Sequence, residues 1–413
     1  MQSTNRLLAT GGFAVEKLIA PRQAVVAFLS RVAIAAPQIE RVPIEDAYGR
    51  VLAETIEADD EYPAAARSAM DGFALAAART PGTFVIAGDV RMGLAASEAP
   101  SPGAAMRIPT GGMLPAQTDA VVPIEDAVVD GDTIAVETAV ASGANVIARG
   151  DDMHRGETIL KRGRRIRAPQ IGVLATLGVA EVPVYRRPVV GVLSSGDELV
   201  ELSVRPAAGQ VRDSNRYAVA ACLRAMGAQP RHYPILRDEI APFVAGLSQA
   251  VSECDAVVVT GGSSVGQRDR LPEAVAALGA PGIVVHGLRL RPGKPTLFGA
   301  LGSKPILGLP GNPTSALIVL EAVAAPIVAA LTGARIETPT LLARLADAAR
   351  SRAGWTWYLP VALRDEGGVP LAHPLPLRSF SVSLTARADG YLTMEERDEL
   401  LPAGAIVTIH RFL

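Results

Sequence analysis

Cysteine is nearly absent from this chain: Cys222 and Cys254 are the only two in 413 residues, both in apolar surroundings. There is no CxxC pair, and the five histidines (His154, His232, His286, His373, His410) show no ligand spacing. A disulfide framework or structural zinc site is therefore not expected. The cysteines read as small core residues suited to a reducing cytoplasm. Aromatic residues are only 4%, too few for base-stacking platforms. A net charge of −2 speaks against nucleic acid or an anionic membrane as partner. Long apolar runs are missing as well. Ala316 to Leu331 is broken by Glu321 and Pro326, is shorter than the roughly 20 residues of a span, and reads as a buried helix. Met1 to Ala20 does not read as a secretory signal, since Glu16 and Lys17 interrupt its apolar stretch. Lysine is the last scarcity: of 40 basic residues only Lys17, Lys161, Lys294 and Lys304 are not arginine.

What is present indicates a globular chain of two to four domains, with 49% hydrophobic and 20% charged residues. Four textures alternate. Residues 21–51 carry a helical pattern from Ala24 to Ala36, and 149–185 return to helix, with Pro169 near its first turn and Gly178 near its end. These two stretches form one expected split helical/linker domain. Residues 52–148 are short β-rich runs (Thr83–Ile86, Ala104–Ile108, Ala120–Ile124, Thr133–Val136) between Gly, Pro and Asp, a β-rich hairpin domain. Residues 188–335 alternate buried strands (Val189–Leu193, Gln229–Ile235, Ala256–Thr260, Ile283–Val285) with helical patterns, as a parallel sheet covered on both faces does. Residues 336–413 become short strands with Gly turns, a small C-terminal β-barrel. The fold class is multidomain α/β.

The segment from Asp255 to Ser315 holds three Gly/Pro loops. Ala256–Thr260 runs into Gly261-Gly-Ser-Ser-Val-Gly266, with Asp269 following; Arg291-Pro-Gly-Lys294-Pro comes next; Ile306–Leu309 runs into Pro310-Gly-Asn-Pro313. Ligands of open α/β sheets bind outside the carboxyl ends of the strands, where such loops lie. Their glycines let backbone N–H groups approach an anion, and a helix N-terminus adds partial positive charge. A lysine in a chain that otherwise uses arginine indicates that a compact ammonium is wanted there.

Acidic residues flank Gly turns. Asp71 lies in Arg67-Ser-Ala-Met-Asp-Gly-Phe-Ala74, Asp151 and Asp152 follow Arg149-Gly150, and Asp197 and Glu198 follow Ser194-Ser-Gly196. Asp238 follows another strand, and Asp269 closes the Gly261 loop. Carboxylates at strand ends, phosphate-cradling loops and a lysine together describe a magnesium-assisted phosphate or phosphoanhydride site. An Asp before Gly also serves as an ordinary turn former, and Asp197 could cap a helix after its loop. Ser194, Ser195, Ser263 and Ser264 read as hydroxyl donors to an anion, since no histidine has a matching position. The loops match neither G-x-G-x-x-G nor G-x-x-x-x-G-K-[ST], which disfavours a Rossmann site or P-loop.

With these residues in view, the chain resembles the molybdopterin molybdenumtransferase family, the MoeA-type proteins related to the gephyrin E domain, over roughly residues 20 to 410. The resemblance is carried by Ser68-Ala-Met-Asp-Gly-Phe-Ala74, Pro109-Thr-Gly-Gly112, Ala120-Val-Val-Pro123, Arg149-Gly-Asp-Asp152, Ser195-Gly-Asp-Glu-Leu199, Asp213-Ser-Asn215, Thr260–Gly266 with Asp269, Arg291-Pro-Gly-Lys-Pro295 and Leu309-Pro-Gly-Asn-Pro313. It implies that 188–335 binds molybdopterin and that the reaction inserts molybdenum into adenylylated molybdopterin. Molybdate is consumed, a phosphoanhydride is hydrolysed with Mg²⁺, and molybdenum cofactor and AMP are released. It implies a cytoplasmic homodimer whose cleft combines the α/β domain of one subunit with the β-rich domain of the other. Catalytic roles fall on Asp71, Thr110, Asp152, Glu198, Asp238 and Asp269, with the metal on Asp71, Glu198 and Asp269. Substrate binding falls on Gly261, Gly262, Ser263, Ser264, Gly266, Arg291, Lys294, Pro310, Gly311, Asn312 and Pro313. The molybdopterin adenylyltransferase and recipient molybdoenzymes are the implied partners. Ser263, Arg270, Gly287 and Arg378–Ser383 depart from the family pattern. A non-catalytic cofactor carrier is the alternative reading. The adenylylation step fits less well, because it needs only the α/β domain.

Overall fold

The computed structural model describes residues 18–95, 99–261, 270–336, 338–365, 367–377 and 382–413. The chain divides into two compact units, one built from Glu54–Arg162 and Gly172–Ala180, the other from Met1–Ala53, Gly163–Ile171 and Glu181–Leu413.

The first unit is a β structure. Its six-stranded sheet runs in the order Ala120–Pro123, Gly72–Leu75, Ala104–Ile108, Gly82–Asp89, Thr133–Val136, Val128–Asp130. All neighbours are antiparallel except Gly82–Asp89 beside Ala104–Ile108. Successive side chains of a strand point to opposite faces. Phe73 and Leu75 accordingly enter one apolar cluster with Phe84, Val122 and Ile134, while Ala74 enters another with Ile108 and Val121. The central strand Gly72–Leu75 is buried on both faces. It shows no alternation, so its sequence does not mark it as a strand.

In the second unit a six-stranded sheet runs Gln229–His232, Val189–Ser194, Ala256–Thr260, Lys304–Leu309, Leu297–Leu301, Pro281–His286. The first four strands are parallel, as expected. The last two are antiparallel, which was not. Leu297–Leu301 turns back through Gly302 and Ser303, and a turn of two residues can join only antiparallel neighbours. Both faces are covered, so Val257 and Val259 pack beneath Phe243, Leu247 and Leu271. Val258 points the other way, toward Val219, Leu223, Ile318 and Ile327. This two-sided burial is why Ala256–Thr260 reads as an unbroken apolar run.

Helix is scarcer in the flanking stretches than periodicity suggests. The helix expected to reach Ala36 spans Pro21–Arg31. Val32 and Ile34 both pack on the core two residues apart, the period of extended chain, and Ile39–Pro43 then pairs antiparallel with Glu181–Tyr185. Within 149–185 helix is confined to Ala168–Thr176. The buried helix at 316–331 is broken: Pro313–Ile318 leads into a π-helical turn, Val319–Val323, and Ala325–Thr332 departs at 59°. Pro326, in the first turn of the second piece, cannot continue the hydrogen-bond ladder. By length and composition this bent pair could cross a membrane, while no single described helix could. Here it lies in the core.

Near the end of the chain the strands Thr340–Leu345, Thr356–Arg364, Leu371–Pro374, Gly390–Met394 and Ile406–Arg411 form a ring closed by Thr356–Arg364 pairing with Gly390–Met394. Leu345, Val361, Ala372, Leu392, Met394 and Ile409 fill this small barrel.

Candidate functional site

The register of the parallel strands decides which loops become neighbours. Ser194 lies opposite Thr260, and Thr260 opposite Leu309. The loops that follow, containing Glu198, Gly261 and Pro310–Pro313, therefore leave the sheet side by side. Ser195 bridges Leu236, which brings Asp238 to the same edge. The two antiparallel strands add a further loop. His286 ends its strand opposite Leu297, and Leu297 begins its strand opposite Gly308, so 287–296, with Arg291 and Lys294, emerges at this edge too. Gly262, Ser263, Ser264, Gly266 and Asp269 lie outside the described residues.

These loops are tied to one another through the backbone. The Ser195 N–H donates to Thr260 O at 2.9 Å, Gly196 N–H to Leu236 O at 3.1 Å, and Gly261 N–H to Leu309 O at 3.2 Å. The Asp238 carboxylate accepts from the Ser195 hydroxyl at 3.3 Å, and the Asp238 N–H donates to the Asp197 carboxylate at 3.2 Å. Asp197 is thus a tether between loops rather than a helix cap, and the strand Leu199–Val200 follows it. Arg270 donates from Nε to the Asp238 carbonyl at 3.1 Å. Gly261 has φ +82°, and a Cβ there would lie 2.4 Å from Ser195 O, so only glycine lets the two loops pack this closely. The Glu198 carboxylate folds back over Gly196, whose φ of +149° favours glycine. At the fourth loop Asn312 caps the helix Pro313–Ile318, accepting from Ser315 N–H at 3.2 Å.

Beneath this edge lies a buried polar network that residue-by-residue reading missed. The Ser194 hydroxyl donates to Asp213 at 2.9 Å and lies 3.1 Å from the Thr260 hydroxyl. Asp213 also accepts from Arg216 Nε at 3.0 Å and from the Arg216 N–H at 3.1 Å, while Arg216 reaches Glu201 through both terminal nitrogens. Asp213 is 2% exposed and Arg216 7%, so the pair is desolvated, and it is sustained because both ions are hydrogen-bonded. Asn215 donates to Gly311 O at 2.8 Å. In the sequence Asp213-Ser-Asn215 was visible as one of the motifs that carry the resemblance. Its task of joining the ends of two central strands depends on residues far away in the chain.

In the first unit Asp71 and Thr110 meet. Asp71 accepts from the Thr110 N–H at 2.6 Å and from its hydroxyl at 2.9 Å. These two donors, the backbone one first, hold the Asp71 carboxyl below the usual range. Asp152 lines a cavity of about 350 Å³ with Tyr62, Met153, Glu157 and Val173. Neither Asp71 nor Thr110 lines that cavity.

Among the described residues no three His, Cys, Asp or Glu side chains converge as metal ligands. Magnesium does not require such a cage, since it takes one or two carboxylates together with phosphate oxygens and water. Glu198 and Asp238, hard oxygen donors on adjoining loops, suit that chemistry. Burial pushes the Cys222 and Cys254 thiols up, so both stay protonated in the core, as their surroundings suggested.

The comparisons with known proteins run the length of the chain. Residues 19–178 match the MoeA N-terminal region (domains I and II), 191–330 a probable molybdopterin binding domain, and 342–412 the MoeA C-terminal region (domain IV). A molybdopterin molybdenumtransferase of Synechocystis is 30% identical over 370 residues, 87% of this chain and 92% of that protein. The Bacillus subtilis molybdopterin molybdenumtransferase is 31% identical over 372 residues, 86% of each. Among solved structures, a molybdopterin biosynthesis MoeA protein from Pyrococcus horikoshii superposes with a TM-score of 0.84 at 27% identity, covering 96% of this chain and 100% of its own.

Proposed function

Given that this chain belongs to the molybdopterin molybdenumtransferase family, we propose that it inserts molybdenum into adenylylated molybdopterin, consuming molybdate and releasing molybdenum cofactor and AMP. The observation that carries this reading is the meeting of carboxylate, glycine and basic loops at one sheet edge: Glu198 and Asp238, Gly261 and Pro310–Pro313, and the loop of Arg291 and Lys294. Both substrates are anions. Arg291, Lys294 and the backbone N–H groups of the Gly loops bind their oxyanions without bond chemistry of their own.

Mg²⁺ would be held by Glu198 and Asp269 of one subunit with Asp71 of the other, Asp238 adjoining Glu198 as a further oxygen donor, and when bound it supplies charge neutralisation at the phosphoanhydride. The chain's own carboxylates orient the attacking water. Its oxygen forms the new bond to phosphorus as the anhydride P–O bond breaks, and AMP departs with the electron pair. Catalysis is then chiefly positioning and charge stabilisation. Asp71, whose exposed carboxyl Thr110 lowers further, acts as an anion rather than a proton donor. The protein is read as a cytoplasmic homodimer in which Asp71, Thr110 and Asp152 serve the partner subunit's Glu198 edge. A molybdopterin adenylyltransferase would supply the substrate, and molybdoenzymes would receive the product. The names of the relatives speak for the transferase over a non-catalytic carrier.

The test is AMP release from adenylylated molybdopterin with Mg²⁺ and molybdate. Glu198→Gln is expected to keep fold and dimer and to lose turnover by about a hundredfold or more. Wild-type rates in that variant overturn the role of Glu198. Tight binding without AMP release by the unmodified protein restores the carrier reading.

A further inference from the structure

The basic loop is held from two sides. Within it, Leu288 N–H donates to Lys294 O at 2.9 Å, Gly287 N–H to Thr296 O at 2.8 Å, and the Thr296 hydroxyl to Gly293 O at 2.7 Å. From outside, the short strand Leu290–Arg291 pairs in parallel with the barrel strand Thr356–Arg364, setting Arg291 opposite Trp357. Thr356 N–H donates to Arg289 O at 3.0 Å, and Arg289 lies 3.8 Å from the Glu396 carboxylate. The Arg291 guanidinium sits over the Trp357 ring, 4.6 Å from its centroid. Arg291 is exposed, and among the described residues it has no carboxylate partner.

That combination has a chemical meaning. A carboxylate would occupy the guanidinium's N–H donors and cancel its charge. An indole face binds the cation through its flat side and leaves the in-plane donors and the charge available. A tetrahedral oxyanion takes such in-plane N–H groups in pairs. We propose that Trp357 is the positioning residue for Arg291, orienting the guanidinium for a tetrahedral oxyanion of the molybdate class without neutralising it. The barrel thereby contributes to oxyanion affinity although it presents no charge of its own at this contact. The inference rests on the reading of Arg291 as an oxyanion contact.

Trp355 is the only other tryptophan, so Trp355→Phe leaves Trp357 as the sole indole reporter. Titration of that variant with molybdate is expected to change its emission saturably, and Arg291→Gln on the same background to abolish the change. In the full chain, Trp357→Leu is expected to raise the KM for molybdate roughly three- to tenfold with kcat moving less, and Trp357→Phe to recover most of the loss. Wild-type molybdate affinity in Trp357→Leu, with Arg291→Gln weakened, overturns the role of Trp357 and leaves Arg291 in place. Equal molybdate affinity in Arg291→Gln and wild type overturns the reading of Arg291, and this inference with it. If Trp357→Leu does not fold, the emission titration decides: no response at molybdate concentrations that saturate calorimetric binding overturns the proposal.

Discussion

Asp71 shows how hydrogen bonds lower the carboxyl of an exposed residue. Thr110 supplies two donors, and the stronger influence is its backbone N–H, which no substitution at 110 other than proline removes. Thr110→Val deletes only the hydroxyl. The Asp71 carboxyl then rises part of the way back toward its ordinary value, and the acid limb of the pH–rate profile is expected to move to higher pH. An unmoved limb would detach Asp71 from turnover. Each of these two residues sits in a short motif legible in the sequence, but their hydrogen bonds to each other were not legible, nor was the cavity that Asp152 lines. The Asp71 and Asp152 motifs look equally like turn carboxylates, and only the fold of the unit gives each its partners.

At the scale of elements, the sheet edge depends on close backbone approach. Gly261→Ala would force a Cβ against Ser195 O at a left-handed φ. It is expected to cost about 2–4 kcal/mol in urea unfolding and to disturb the loops of Glu198 and Asp238 together. The broken helix carries a different liability. Glu321, in the π-helical turn, is 5% exposed, facing the Cys222 thiol at 3.6 Å and accepting from Leu413 N–H at 3.4 Å, with Tyr391 nearby. Burial pushes its carboxyl up to about 7. The folded chain therefore keeps a proton that the unfolded chain releases near 4.5. The resulting stabilisation is complete below that pH and is lost as pH rises through about 7, an upper estimate of about 3 kcal/mol. Between about pH 5 and 8, Glu321→Gln is expected to lose less stability than wild type in urea titrations. Parallel curves for the two proteins would rule out Glu321 as the source. Ala256–Thr260, buried on both faces, announced itself as an apolar run. Leu297–Leu301 did not, since Gly299 interrupts it and its identity comes from the hairpin partner.

For the whole molecule, the proposed homodimer makes a specific prediction. If Asp71 of one subunit serves the Glu198 edge of its partner, then Asp71→Asn and Glu198→Gln, each inactive alone, should complement after subunit exchange. Random mixing would restore about one quarter of the wild-type sites. No recovery in dimers shown to have exchanged would place all the groups in a single subunit or deny one of them its role. The alternation of strand and helix from 188 to 335, the β-rich texture before it, and the Gly/Pro loops at strand ends were determined by the sequence alone. Periodicity and turn chemistry are local properties, carried by neighbouring residues. Only the tertiary structure decided that two strands of the sheet run antiparallel, that Asp213 and Asn215 join the ends of two central strands, that the barrel closes, and that Trp357 lies under Arg291. Each of these rests on hydrogen bonds, ion pairs or ring contacts between residues distant in the chain. Such partners leave no mark on local pattern, and they become neighbours only when burial of both sheet faces has fixed the register.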